Sequence, residues 1–89
     1  MNTRVALIGI IIQNLESVDK MNSLLHQYGQ YIIGRMGLPY REMGISIISV
    51  ALDAPPDIIS ALSGKLGMLP GVSTKTIYAK LDEGKNEIK

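Results

Sequence analysis

The residues best suited to bind a ligand lie close together in the middle of the chain, between Gly34 and Arg41. Arg35 and Arg41 carry planar guanidinium groups whose forked N–H donors match a carboxylate or a phosphate. Tyr40 adds a hydroxyl group and an aromatic ring, and two glycines three residues apart permit a β-bulge or a close backbone approach. The segment is therefore a solvent-exposed hairpin, a contact with a partner, or an anion or small-ligand site that consists of Gly34, Arg35, Gly37, Tyr40 and Arg41.

His26 is the single histidine of the chain, and the chain contains no cysteine. It borders the apolar stripe of a predicted helix, so one interpretation is a half-buried helix histidine. The other is a ligand contact, or a pH-sensitive polar contact at an oligomer interface. One histidine without cysteine excludes a thiolate site and a multi-histidine site within one chain. We therefore predict no metal and no cofactor, and we add His26 to the candidate ligand-binding residues.

The sequence shows no group of residues that would carry out catalysis. Ser46 and Ser49 have no neighbouring histidine in sequence, and neither a Gly-x-Ser-x-Gly segment nor a phosphate-binding glycine loop is present. The adjacent carboxylates Asp82 and Glu83 belong to a polar C-terminal segment. We therefore predict that the protein is not an enzyme, with a small enzyme as the less favoured alternative.

Apolar periodicity predicts two helices and four strands in the order β-α-β-β-α-β. Continuous or alternating runs of β-branched residues predict the strands, and apolar residues at three- and four-residue spacing predict the helices. The predicted strands are residues 5–12, 30–38, 45–52 and 72–81, and the predicted helices run from 14 to 29 and from 55 to 67 or 71. Residues 1–81 then form a single domain, and residues 82–89 form a polar C-terminal tail.

This order is typical of the ferredoxin-like α+β fold, a four-stranded antiparallel sheet with two helices on one face. The first and third predicted strands are apolar on both faces, although helices would cover only one. Thirteen isoleucines and a hydrophobic content of 46% in 89 residues reflect this excess. Because an exposed apolar patch marks an interface, we predict a homo-oligomer, dimer or tetramer, that buries the open face or extends the sheet.

The charge and hydropathy patterns argue against nucleic-acid and membrane partners. The formal net charge is +1, too small for binding driven by phosphate contacts. An RNA-binding domain with this element order would carry aromatic residues on its third strand, and residues 45–52 contain none. The eight-residue apolar run at 5–12 is too short to span a membrane, and no small-residue cleavage site follows it. We therefore predict a cytoplasmic protein.

Several stretches resemble the family of iron-only hydrogenase system regulators. The most specific stretch is Gly-Arg-Met-Gly-Leu-Pro-Tyr at 34–40, and the others are residues 4–12, 26–29, 32–33, 44–48, 60–67 and 69–72. The resemblance implies a ferredoxin-like fold of the ACT type, similar to the C-terminal domain of the nickel-responsive repressor. It also implies a role in regulation, in ligand sensing or in oligomerisation.

Two features of the nickel-responsive repressor are not expected in this chain. The repressor's nickel site uses histidines and a cysteine, whereas this chain has His26 alone and no cysteine. The first strand is predicted to start at about Arg4, which leaves no room before it for the repressor's DNA-binding segment. Together with the resemblance, the sequence predicts a non-enzymatic regulatory module that oligomerises and binds a small anionic ligand. The resemblance also links this module to transcription regulation. A scaffolding oligomer without a ligand is the alternative.

Overall fold

The computed structural model describes residues 2–80, so the predicted tail at 82–89 lies outside the described residues. Four strands form one sheet in the order β2-β3-β1-β4, and every neighbouring pair is antiparallel. This arrangement confirms the predicted ferredoxin-like α+β fold. The elements are β1 (Arg4–Ile12), α1 (Val18–Gln27), β2 (Ile32–Tyr40), β3 (Ile45–Ala54), α2 (Pro56–Gly67) and β4 (Val72–Tyr78).

The hydrophobic core lies between the helices and one face of the sheet. In β1 the even-numbered residues from Ala6 to Ile12 are buried and the odd-numbered residues are partly or fully exposed, because successive side chains of a strand point to opposite faces. β3 shows the same alternation, and α2 packs on β4, β1 and β3. The core consists of Ala6, Ile8, Ile10, Ile12, Met21, Leu25, Ile48, Val50, Leu52, Ala54, Ile59, Leu62 and Leu66.

The first helix begins later than its sequence pattern predicts. Asn14 does act as a cap, since its side-chain oxygen accepts a hydrogen bond from the backbone N–H of Glu16 at 3.0 Å. The residues that follow form a 3-10 turn, Leu15–Ser17, and the α-helix begins only at Val18. As a result Leu15, which the periodicity places on the apolar stripe, is 56% exposed.

The second strand is also shifted from its predicted position. It begins at Ile32 after a 3-10 turn, Gly29–Tyr31, and continues to Tyr40. Its pairing with β3 slips between Ile32 and Gly34, which is the irregularity that the glycine pattern permits. A third 3-10 turn, Arg41–Met43, then leads to Gly44, whose φ of 67° lies in the left-handed region that favours glycine.

Two loops at one end of the sheet are tied together by short hydrogen bonds. The buried Ser17 hydroxyl donates to the carbonyl of Pro70 at 2.7 Å, and the N–H of Gln13 donates to the carbonyl of Gly71 at 2.7 Å. The β1–α1 connection is thereby fixed to the α2–β4 connection. This contact sets the position at which α1 begins.

We expect Ser17→Ala to destabilise the fold by about 1 kcal/mol, because the hydrogen bond from the buried Ser17 hydroxyl to the carbonyl of Pro70 is lost. Thermal unfolding measures the change. Ser23→Ala, on the exposed side of α1, is the matched control and should leave the free energy of unfolding almost unchanged. Equal losses in the two variants would contradict a specific role for the Ser17 hydroxyl.

Candidate functional site

The face of the sheet that the helices leave open carries three rows of side chains that run across all four strands. The strand register sets the members of each row, since directly paired residues of antiparallel strands point to the same face. From β2 to β4 the rows are Gly34, Ala51, Leu7 and Ile77; then Met36, Ser49, Gly9 and Lys75; then Leu38, Ile47, Ile11 and Ser73.

Large apolar side chains dominate this open face. Leu7 is 42% exposed and Ile11 is 40% exposed, although both lie on a central strand. The open face therefore carries the exposed apolar set that the two-sided pattern of β1 and β3 predicts. Its exposed large apolar residues are Leu7, Ile11, Met36, Leu38, Tyr40, Ile47 and Ile77.

The structure does not place the predicted ligand residues of β2 in one site. Gly34 and Tyr40 pair with residues of the open face, whereas Arg35 and Gly37 pair with Val50 and Ile48, which face the helices. The alternation of side chains along a strand causes this separation. Arg41 lies beyond the strand in an exposed 3-10 turn.

Arg35 instead reaches the first helix. Its Nη2 donates a hydrogen bond to the side-chain oxygen of Asn22 at 3.1 Å. His26 lies one helical turn after Asn22, so the two residues share a side of α1. The structure thus brings Arg35 and the His26 side of α1 to the same surface. His26 is exposed there, which corrects the half-buried position that the helix pattern favoured.

Sequence reasoning missed a recess in the middle of the open face. Gly9 lies at its centre, between Ser49 on β3 and Lys75 on β4. A hollow of about 380 Å³ opens beside it, with Ile11 and Ile47 among its lining residues. The available signal was a single glycine inside an isoleucine-rich strand, which indicates a bulge or a close approach. The pairing with Ser49 and Lys75 became visible only with the register.

Residues 2–80 contain neither a side-chain cluster suited to a metal ion nor a helix suited to span a membrane. No three histidine, cysteine, aspartate or glutamate side chains in this part of the chain lie together in a way that could hold a metal ion. Within the same range, neither helix has the length and apolar character needed to cross a bilayer.

Solved structures that share the fold include three that differ in their similarity to this chain. The uncharacterized protein TM1266 from Thermotoga maritima is 36% identical with a TM-score of 0.85, and the match covers 89% of this chain and 100% of that one. The C-terminal domain of the MgtC protein from Mycobacterium tuberculosis is 13% identical with a TM-score of 0.68, over 85% of this chain and 87% of that one. A formyltetrahydrofolate deformylase from Pseudomonas putida KT2440 is 19% identical with a TM-score of 0.57, over 89% of this chain and 29% of that one.

The last two structures show a shared fold alone, because their identities are low. No curated protein sequence matches the chain significantly. A protein family does match it, over residues 4–76, and the description of that family assigns a regulatory role without a chemistry. Residues 34–40, the most specific part of the resemblance, lie inside the matched range. The chain belongs to the TM1266-like family of iron-only hydrogenase system regulators.

Proposed function

We propose that the protein is a non-enzymatic regulatory module that works as a homo-oligomer, with the open face of one copy packed against that of another. The observation that carries this proposal is the largely apolar open face, which exposes Leu7 and Ile11 on the central strand β1. An exposed apolar surface of this kind marks an interaction site in a folded protein. The family's regulatory role supports the functional half of the proposal.

A second copy of the chain is the occupant that suits the size and charge of the open face. Four strands about 4.8 Å apart and nine residues about 3.3 Å apart give a flat footprint of roughly 500 Å², to which side-chain relief adds area. A standard interface buries about 800 Å² of accessible surface per partner. The two charged side chains that the register places on this face lie away from Leu7 and Ile11: Asp53 is near the end of β3, and Lys75 is on the edge strand β4.

The regulatory signal in this proposal is a small anion bound beside Arg35. The Asn22 amide accepts from one of the five N–H donors of the guanidinium group, and the exposed group presents the others to solvent. His26, one turn further along α1, lies at the same surface and supplies a second polar group. An anion that binds one oligomeric arrangement more tightly than another shifts the population toward that arrangement. Arg41, in the neighbouring turn, is the second candidate cation.

We expect inorganic phosphate to raise the melting temperature of the wild-type protein and to raise that of Arg35→Ala less, because a ligand of the native state adds more stability when it binds more tightly. Arg41→Ala tests the neighbouring turn in the same assay. Lys20→Ala, an exposed cation of α1, is the control for a general charge effect. If both arginine variants respond to phosphate like the wild type, this anion site is wrong.

The oligomeric part of the proposal is tested by light scattering over a dilution series. A mass of at least two chains that falls at low concentration is the expected result, since self-association follows mass action. A species of 9.7 kDa at every concentration contradicts it. If the oligomer forms but amino acids, nucleotides, phosphates and metal ions all fail to raise its melting temperature, the scaffolding alternative without a ligand is favoured.

A further inference from the structure

The centre of the middle row of the open face, at Gly9 and Ser49, is lower than the side chains on either side of it. Gly9 has no side chain, and its neighbour Ser49 is small, whereas the flanking rows carry Leu7 on one side and Ile11 and Ile47 on the other. This difference in height produces the hollow of about 380 Å³ beside Gly9. Its volume falls within the range of about 300–1,000 Å³ that small-molecule sites occupy.

The lining of the hollow combines apolar walls with a few polar groups. Ile11 and Ile47 form the apolar side, and the hydroxyl groups of Ser49 and Ser73 together with Lys75 supply the polar side. Mostly apolar walls with a small number of convergent polar groups are typical of ligand sites. A molecule that fits this lining has an aliphatic body and one polar end.

The charge at the polar end is the positive charge of Lys75, and within residues 2–80 the register places no opposite charge near it on the same face. The register places one carboxylate there, that of Asp53. The backbone of Asp53 is four residues along the strands and two strands across the sheet from that of Lys75. At about 3.3 Å per residue and about 4.8 Å per strand, the two Cα atoms are roughly 16 Å apart. An ion pair within one copy cannot form over this distance. The ammonium group of Lys75 is therefore available to a carboxylate.

We propose that the recess at Gly9 binds a small carboxylate with an aliphatic body, whose carboxylate group meets Lys75 and whose chain lies against Ile11 and Ile47. This inference rests on the proposed function, because a second copy on the open face turns the surface hollow into an enclosed site. The large side chains around the recess, such as Leu7 and Ile11, make the contact between the two copies. The space at Gly9 stays open between them. Binding of the carboxylate then stabilises the oligomer, and the oligomer in turn strengthens binding, as linkage requires.

Calorimetric titration with octanoate, below the concentration at which it forms micelles, tests the inference on the whole chain. Octanoate is expected to bind about tenfold more tightly than 1-octanol, which has the same chain without the charge. Lys75→Met keeps the length of the side chain and should remove this difference. Lys20→Met, a cation on α1 outside the open face, is the matched control and should behave as the wild type.

Gly9→Val tests the location of the site independently of its charge. A Cβ at Gly9 would lie 3.8 Å from the carbonyl oxygen of Lys75, an ordinary contact, and a β-branched residue suits a strand. The variant should therefore fold, and its circular dichroism and melting curve verify that it does. Because the new side chain fills the hollow, we expect octanoate binding to fall by more than tenfold.

Three results would overturn the inference: no octanoate binding to the wild type, equal binding of octanoate and 1-octanol, or unchanged octanoate binding in folded Gly9→Val. Light scattering on the same samples separates this inference from the proposed function. A wild-type oligomer with any of these three results leaves the oligomeric module standing and removes the carboxylate site. A monomer that binds octanoate through Gly9 and Lys75 overturns the proposed oligomer instead.

Discussion

Gly71→Ala is expected to lower the free energy of unfolding by about 3 kcal/mol or more, which is much of the stability of a small domain. An added Cβ would lie 2.7 Å from the Cβ of Asn14 and 2.8 Å from its backbone nitrogen. These distances are too short, so the backbone at Gly71 or at Asn14 must move. Gly71 also has a φ of 69°, a conformation that costs an alanine about 1–2 kcal/mol. At about 4–8 °C per kcal/mol for a domain of this size, the melting temperature should fall by about 15 °C.

Gly44→Ala separates the two causes. Gly44 has nearly the same φ, 67°, but a Cβ placed there has nothing within 4 Å. This variant should therefore lose only the conformational part, about 1–2 kcal/mol. Similar losses in both variants, measured by thermal or urea unfolding, would show that the tight contact of Gly71 with Asn14 does not matter to stability.

The paired substitution of Leu7→Lys and Ile11→Lys is expected to weaken self-association by about 10²-fold to 10⁴-fold. Each copy loses the burial of two large aliphatic side chains. Because these are 42% and 40% exposed in a single copy, each loss is about 0.6–1.2 kcal/mol, and a two-fold interface suffers both losses twice. The new ammonium groups also face one another across the interface. Light scattering at a concentration where the wild type is fully associated should then report a single chain of 9.7 kDa.

Leu15→Lys provides the control for this pair. Leu15 is 56% exposed, but it lies in the turn before α1 and not on the sheet. Leu15→Lys should leave the mass of the oligomer in light scattering unchanged. Both this control and the Leu7 and Ile11 variant should keep the far-ultraviolet circular dichroism of the wild type. If the Leu7 and Ile11 variant folds and remains fully associated, the open face is not the interface. An edge of the sheet would then be the next surface to test.

The candidate ligand residues show that residues close together in sequence need not form one binding site. Residues 34–41 are contiguous, and their types favour anion binding, yet strand alternation divides them between two faces. Arg35 meets Asn22 on α1, and Tyr40 joins the apolar open face. The predicted site therefore survives in part, as a proposal centred on Arg35 and His26.

The boundaries of helices and strands are also only partly predictable from the sequence. The periodicity of α1 continues through Leu15, but the backbone there forms a 3-10 turn. The hydrogen bonds from Ser17 to Pro70 and from Gln13 to Gly71 hold this turn against a distant loop. Such contacts between residues more than fifty positions apart leave no mark on local periodicity.

The element order, the ferredoxin-like fold and the two-sided apolar character of β1 and β3 can all be predicted from the amino-acid sequence. These properties follow from local spacing, because burial on one or both faces requires apolar residues at fixed intervals. The residues of different strands that share a face are known only from the strand register. The register joined Gly9 to Ser49 and Lys75 and separated Arg35 from Tyr40. Cross-strand pairing depends on how distant segments align, and the spacing within one segment does not contain that information.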